Sequence, residues 1–325
     1  MNIWQRFLST TLLLTGLILM AACAGTGRKP AGVMDNPVHH YQVGMDFIEK
    51  GKFDQALREF ELALQLDKNY GPALAGKGLV IVYQGSDDGL RLILKGERKA
   101  RTSEEKVWAI VAEIRAYIQM ARQNMISENQ LILKSKEAFK RGKVIDSSSP
   151  ELYFYMGEAY LQALDFQRAE QMYARVKNLK NGFEQKADQR WELVQKANRA
   201  APETRLGKKI VLIDKISRAD MAGLLIEELN VERFYTRTQK PEQAGFEPPE
   251  SLKMDGEDLY KQIKVKDIDD HPLKNDILKV IDLGVKGLQP YPDHTFRPQA
   301  PMTKVEVALL YEDIIVRATG NEKLA

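Results

Sequence analysis

The chain is 325 residues long, more than one compact core usually organises, so two domains are expected. Its 48 Lys+Arg against 45 Asp+Glu leave a formal charge of +3, which excludes the strongly basic field that makes nucleic acid a default partner. One cysteine and four histidines exclude a disulfide framework and a cysteine-rich zinc site, and 44% hydrophobic residues exclude wholesale disorder.

Residues 1–6 are a short polar start with one positive charge, and residues 7–20 are a mostly apolar run. That run is short for a bilayer span, which takes roughly 20 apolar residues, but it suits the apolar region of an export signal. It closes on Leu19-Met20-Ala21-Ala22-Cys23. This stretch resembles the lipobox of bacterial lipoproteins, with Met20 where leucine is usual. The resemblance implies a signal peptide over 1–22 and Cys23 as the lipidated first residue, whose acyl chains anchor the protein in a membrane. The alternative is an ordinary export signal, which leaves unexplained why the only cysteine stands here. Ala24 in place of aspartate implies, by enteric-type sorting, the outer membrane facing the periplasm. Residues 23–36, rich in Gly and Ala with Pro30, read as a flexible tether.

Over residues 37–70, Gly44, Ala56 and Ala63 stand twelve and seven positions apart, with Phe47, Phe53 and Phe60 between them. Small residues let two antiparallel helices approach and aromatics fill the gaps, while Gly51 suits the turn. The spacing recurs over 149–179, where Gly157 and Ala169 are twelve apart, Tyr160, Phe166 and Tyr173 hold the large positions, and Val176 takes the last small one. Both segments resemble the tetratricopeptide repeat. Residues 71–100, with Gly78, Gly89 and Gly96, read as a copy shortened by one residue in its turn. Residues 103–123 and 128–141 form a third, irregular helix pair with Trp108, Val111, Ile114 and Ile118 on one stripe. Phe183, Ala187, Trp191 and Val194 mark a final helix of the kind that caps a repeat array.

The resemblance implies an all-α solenoid over 37–200 whose inner surface, built from the first helix of each pair, binds peptides or partner helices. Tyr41, Met45, Ile48, Leu79, Val82, Phe154, Glu158 and Gln162 face that groove in this register. The alternative is that these side chains pack against neighbouring helices or the C-terminal domain.

The C-terminal third, 201–325, is similar to the S-layer homology module over 265–319. The features that carry the similarity are Asp267 or Asp269 before a helix, Gly284-Val285-Lys286-Gly287, the loop Asp293-His294-Thr295-Phe296-Arg297-Pro298, and the helix start Thr303-Lys304-Val305-Glu306. Ser217-Arg218-Ala219-Asp220 looks like the helix start of a partial module over about 209–235. Thr303 with Glu306, and Ser217 with Asp220, are capping boxes. Leu273, Ile277, Val280 and Ile281 form one apolar stripe, and Val307, Leu310, Tyr311, Ile314 and Ile315 another. A cation in a helix's first turn opposes the helix dipole, so Arg218 and Lys304 are candidates to hold a carboxylate or phosphate, and the resemblance implies that this ligand is an anionic cell-wall polymer, with Arg297 assisting. A solvated charge without a ligand is the alternative.

No nucleophile elbow, phosphate loop or His-Glu-x-x-His motif occurs, and Asp267, Asp269 and Asp270 lack the glycine and glutamate of a calcium loop, so helix capping is expected of them. The expectation is a non-enzymatic, cofactor-free and metal-free adaptor of the cell envelope, lipid-anchored, holding a protein or peptide partner and a cell-wall polymer. A rival is an assembly factor for an outer-membrane channel or pilus whose C-terminal region only braces the repeats. A hydrolase built on a convergent acid pair is a further alternative.

Overall fold

The computed structural model describes residues 28–179, 182–237 and 265–320, and all regular structure among them is helical. The signal peptide, Cys23 and residues 238–264 lie outside the described residues. The chain divides into two compact units between Asp188 and Gln189.

In the first unit, helices α1 (Pro37–Glu49) and α2 (Phe53–Leu66), α3 (Gly71–Tyr83) and α4 (Gly89–Lys99), α5 (Ser103–Arg122) and α6 (Glu128–Ile145), and α7 (Pro150–Gln162) and α8 (Phe166–Leu179) pair as successive hairpins. First helices pack on first helices in the order α1, α3, α5, α7, and each second helix leans on the next first one. Helix α9 (Glu184–Ala200) carries the boundary between the units and buries Ala187, Val194 and Ala197.

The small-to-large interlock explains the spacing. The Phe60 ring lies between Gly44 and Gly76, so that a methyl on either glycine would come 2.5 Å from its Cε1. Tyr173 fits against Gly157 in the same way, at 2.7 Å. The glycine-rich second hairpin solves the problem differently. A methyl on Gly71 would meet the Gly96 carbonyl at 2.6 Å and one on Gly96 would meet Gly71 at 2.5 Å, while Gly78 faces Gly89 about two turns away. Two backbones therefore touch without any intervening side chain. Helix α6 runs on to Ile145, beyond the expected end at 141, because Gly142 is seated against the methyls of Leu152 rather than ending the helix.

Helix α5 departs furthest from a one-stripe pattern. Val107, Val111, Ile114 and Ile118 form one stripe, but Ala109, Ala112, Ala116, Tyr117 and Met120 on the other sides are buried as well, because α3, α4, α6 and α7 surround it. Its charged residues Glu113 and Arg115 are consequently buried too, at 3% and 6% exposure, and each must find a partner.

The second unit holds α10 (Arg205–Ile210), α11 (Arg218–Gly223) continuing as a π-helical turn over Leu224–Glu228, α12 (Glu232–Arg237), α13 (Lys274–Asp282) and α14 (Lys304–Thr319). Ala219, Leu225, Val280, Phe296 and Leu310 meet in its core. Both expected capping boxes are present. The stripe on α13 packs inward as its spacing requires, but α14 differs. It buries Leu310 and the carboxylate Asp313, whereas Tyr311 and Ile315, expected inside, are 59% and 48% exposed. Asp313 explains the rotation, since it accepts hydrogen bonds from the Tyr235 hydroxyl (2.6 Å), the Lys286 amide (3.1 Å) and Arg317 Nε (3.1 Å).

Candidate functional site

None of the eight positions expected in the groove is exposed. Tyr41, Ile48, Leu79, Val82, Phe154 and Glu158 are buried, and Met45 and Gln162 are half-buried. Tyr41 stacks on Trp108 of α5 with ring centroids 5.1 Å apart, and Phe154 meets Tyr173 and Phe183. Glu158 accepts a hydrogen bond from the Tyr173 hydroxyl at 2.7 Å, and Gln162 accepts one from Arg122 Nε at 3.1 Å. The expectation of an open groove is corrected on these positions. Their packing alternative is what the structure displays.

The unit also holds a polar network that periodicity did not single out. Glu49, at the end of α1, accepts hydrogen bonds from Arg115 of α5 (2.8 Å), the Tyr155 hydroxyl of α7 (3.2 Å) and Lys186 of α9 (3.4 Å). The Arg115 guanidinium also lies 4.7 Å from the Tyr155 ring centre, a cation–π arrangement. Burial pushes the Glu49 carboxyl up, but Arg115 and Lys186 outweigh it and hold the carboxyl below its usual range. First, middle and last helices of the unit are thus tied through one carboxylate, an arrangement sequence periodicity cannot reveal because the partners are 66, 106 and 137 positions away. On α5 the second buried charge, Glu113, takes the Tyr117 hydroxyl at 2.9 Å and the Arg141 guanidinium.

The N-terminal segment is also fastened. Residues 28–36 were expected within a flexible tether. Instead the Arg28 amide donates to the Gln65 carbonyl at 2.8 Å, and Asp35 takes the Arg28 guanidinium. His40 bridges Asp35 through Nε2 (2.9 Å) and Glu59 through Nδ1 (2.6 Å). Burial lowers the imidazole pKa, but the hydrogen bonds it donates to Glu59 and Asp35 outweigh it and the net shift is upward.

In the second unit the three candidate polymer ligands separate. Arg218 is 1% exposed. Its Nε donates to the Phe296 carbonyl (2.8 Å), its two terminal nitrogens to the carbonyls of Gly287 (3.0 Å) and Gln289 (2.8 Å), and it pairs with Glu306. The rings of Tyr291 and Phe296 each lie 4.7 Å from the guanidinium. Four of its five N–H donors are taken internally and the side chain is buried, so the ligand role expected of Arg218 is corrected to that of an internal strut. Lys304 and Arg297 are exposed. Lys304 makes no ion pair among the described residues, whereas Arg297 is held by Asp293 at 2.9 Å and lies 4.2 Å from the Tyr291 ring centre. Asp267, expected as a helix cap, instead clamps the loop by accepting the amides of Phe296 (2.8 Å) and Arg297 (2.7 Å). The two helix starts are stitched together by Arg218 N to Ala300 O (2.9 Å), Met302 N to Ile216 O (3.0 Å) and the bridge between Ser217 and Pro301.

No helix among the described residues is long and apolar enough to cross a membrane, and among them no group of three His, Cys, Asp or Glu could hold a metal ion. The chain matches no family model, no curated protein and no solved structure.

Proposed function

We propose that this protein is a lipid-anchored adaptor of the cell envelope, in which a tetratricopeptide-like hairpin array holds a protein partner and an S-layer-homology-like unit braces the assembly. The observation that carries the reading is the interlock of Phe60 with Gly44 and Gly76, repeated by Tyr173 with Gly157, since this small-to-large fit at fixed spacing is the feature by which the array resembles that repeat family. Such arrays serve as rigid binding platforms rather than catalysts. The burial of Arg218 favours a bracing role for the C-terminal unit over polymer capture, and so moves weight toward an assembly factor for an outer-membrane channel or pilus. Lys304 is the remaining cation with a free outlook for a polymer.

The test is crosslinking in native membranes followed by purification of the full-length protein. A specific envelope protein recovered from wild type, in a fraction that sediments with membranes, supports the adaptor. Recovery of the protein alone contradicts it. Sedimentation with purified cell-wall sacculi, comparing wild type with Lys304→Ala/Arg297→Ala, separates the bracing role, which predicts no binding in either, from polymer capture.

A further inference from the structure

Helix α14 turns an apolar face outward. We propose that this face pairs with the same face of a second copy of the chain, the two α14 helices lying antiparallel across a two-fold axis at Ala308. The proposal is independent of the adaptor reading above.

Val305, Leu309, Tyr311 and Ile315 are 68%, 40%, 59% and 48% exposed, and Ala308 stands exposed among them. No other helix among the described residues exposes more than two large apolar side chains. Apolar side chains scattered singly over a surface are ordinary, whereas a contiguous patch marks a contact surface. Rotation of the helix cannot relieve it. Leu310 and Asp313 are buried on the other side of α14, and the hydrogen bonds of Asp313 to Tyr235, Lys286 and Arg317 hold that orientation.

The pattern on this face is self-complementary, which is the property a two-fold contact requires. Lys304 and Glu312 stand four positions before and after Ala308, and Val305 and Tyr311 stand three positions before and after it. Intervals of three and four keep all of them on one side of the helix. When two such helices run antiparallel with their Ala308 residues opposed, each position meets the one equally far beyond the axis. Lys304 then meets Glu312 of the second copy, twice over, and Val305 packs on Tyr311. Alanine at the crossing point lets the two backbones approach closely. Lys304 is exposed and in no ion pair among the described residues, and Glu312 faces Lys286 at 3.6 Å, so its carboxylate can accept from a further cation. A parallel pair would instead set lysine against lysine and glutamate against glutamate. An uncharged apolar partner or a lipid interior would leave both charges unmatched. A contact confined to one helix of 16 residues is at the small end of specific interfaces, which bury about 800 Å² per partner, so the dimer is expected to form and dissociate with concentration.

Sedimentation velocity of the full-length protein in detergent, over a series of concentrations, is the experiment. Wild type is expected to pass from monomer to dimer. Lys304→Glu and Glu312→Lys are each expected to weaken self-association at least about tenfold, because each sets like charges against one another at both contacts. An equimolar mixture of the two variants is expected to regain it, since each then offers the other the missing sign. Thermal unfolding checks that both variants are folded. A monomer at every concentration overturns the proposal and leaves the face to a different partner. Self-association unchanged in both single variants overturns it in favour of another surface, and a mixture that fails to recover overturns the antiparallel pairing.

Discussion

Replacing Arg218 by alanine strips hydrogen bonds from the carbonyls of Gly287, Gln289 and Phe296 and leaves Glu306 without its cation. Breaking a buried pair of this kind costs about 3–5 kcal/mol. Lys304→Ala, on the exposed side of the neighbouring helix start, should change stability by no more than about 0.5 kcal/mol. Urea unfolding of the two full-length variants checks the contrast, and equal small shifts would contradict the placement of Arg218. His40 supplies a second prediction, with a definite sign. Its pKa in the folded chain lies above the ordinary 6.5, so the folded state binds its proton more tightly than the unfolded state. The stability this contributes is complete below about pH 6.5 and is lost as pH rises through the raised value. Between about pH 6 and pH 9 the thermal midpoint of wild type should fall more than that of His40→Gln; parallel curves would show that the bridge to Asp35 and Glu59 contributes nothing. At this scale the capping residues Ser217 and Thr303 were legible, because a cap is a contact across three residues. Arg218 was misread because a cation in a first turn looks free until the loop around residues 287–296 supplies carbonyls from 69 to 78 positions away.

Helices reveal their pairings through spacing and conceal their surroundings. The positions Gly44, Ala56, Ala63, Gly157 and Ala169 are buried at helix contacts as their intervals imply, and a leucine at Ala56 should overpack the first hairpin by roughly 1–3 kcal/mol. The second hairpin offers a sharper test through Gly96. In an unpacked helix, glycine to alanine gains about 1 kcal/mol from propensity. Here the new methyl would stand 2.5 Å from the Gly71 carbonyl and 2.8 Å from the Ala75 amide, both backbone atoms that move only if the helices part. Overpacking at roughly 1–3 kcal/mol outweighs the gain, so Gly96→Ala should lower the thermal midpoint, and a rise would refute the backbone contact between α3 and α4. The face of α14 was misjudged for the opposite reason to α5. A buried aspartate, Asp313, turns α14 so that apolar residues face out, while α5 is enclosed by neighbours that its own sequence does not describe.

For the molecule as a whole, repeats and caps led to an expected boundary at residue 200, whereas the two units divide between Asp188 and Gln189, inside α9, and the network that gathers Arg115, Tyr155 and Lys186 on Glu49 could not be read from the sequence at all. Anchoring belongs to this scale as well. Cys23→Ser should move the protein from the membrane fraction to the soluble one, and a mature protein that starts elsewhere without acyl chains, by mass spectrometry, would contradict the lipid anchor. The adaptor account itself is tested most directly by photo-crosslinking in the native envelope, with benzoylphenylalanine placed in turn at exposed positions of the first unit, Ser148 among them. The account predicts a discrete adduct to an envelope protein from at least one of them. Absence of any protein adduct from all of these positions would contradict it.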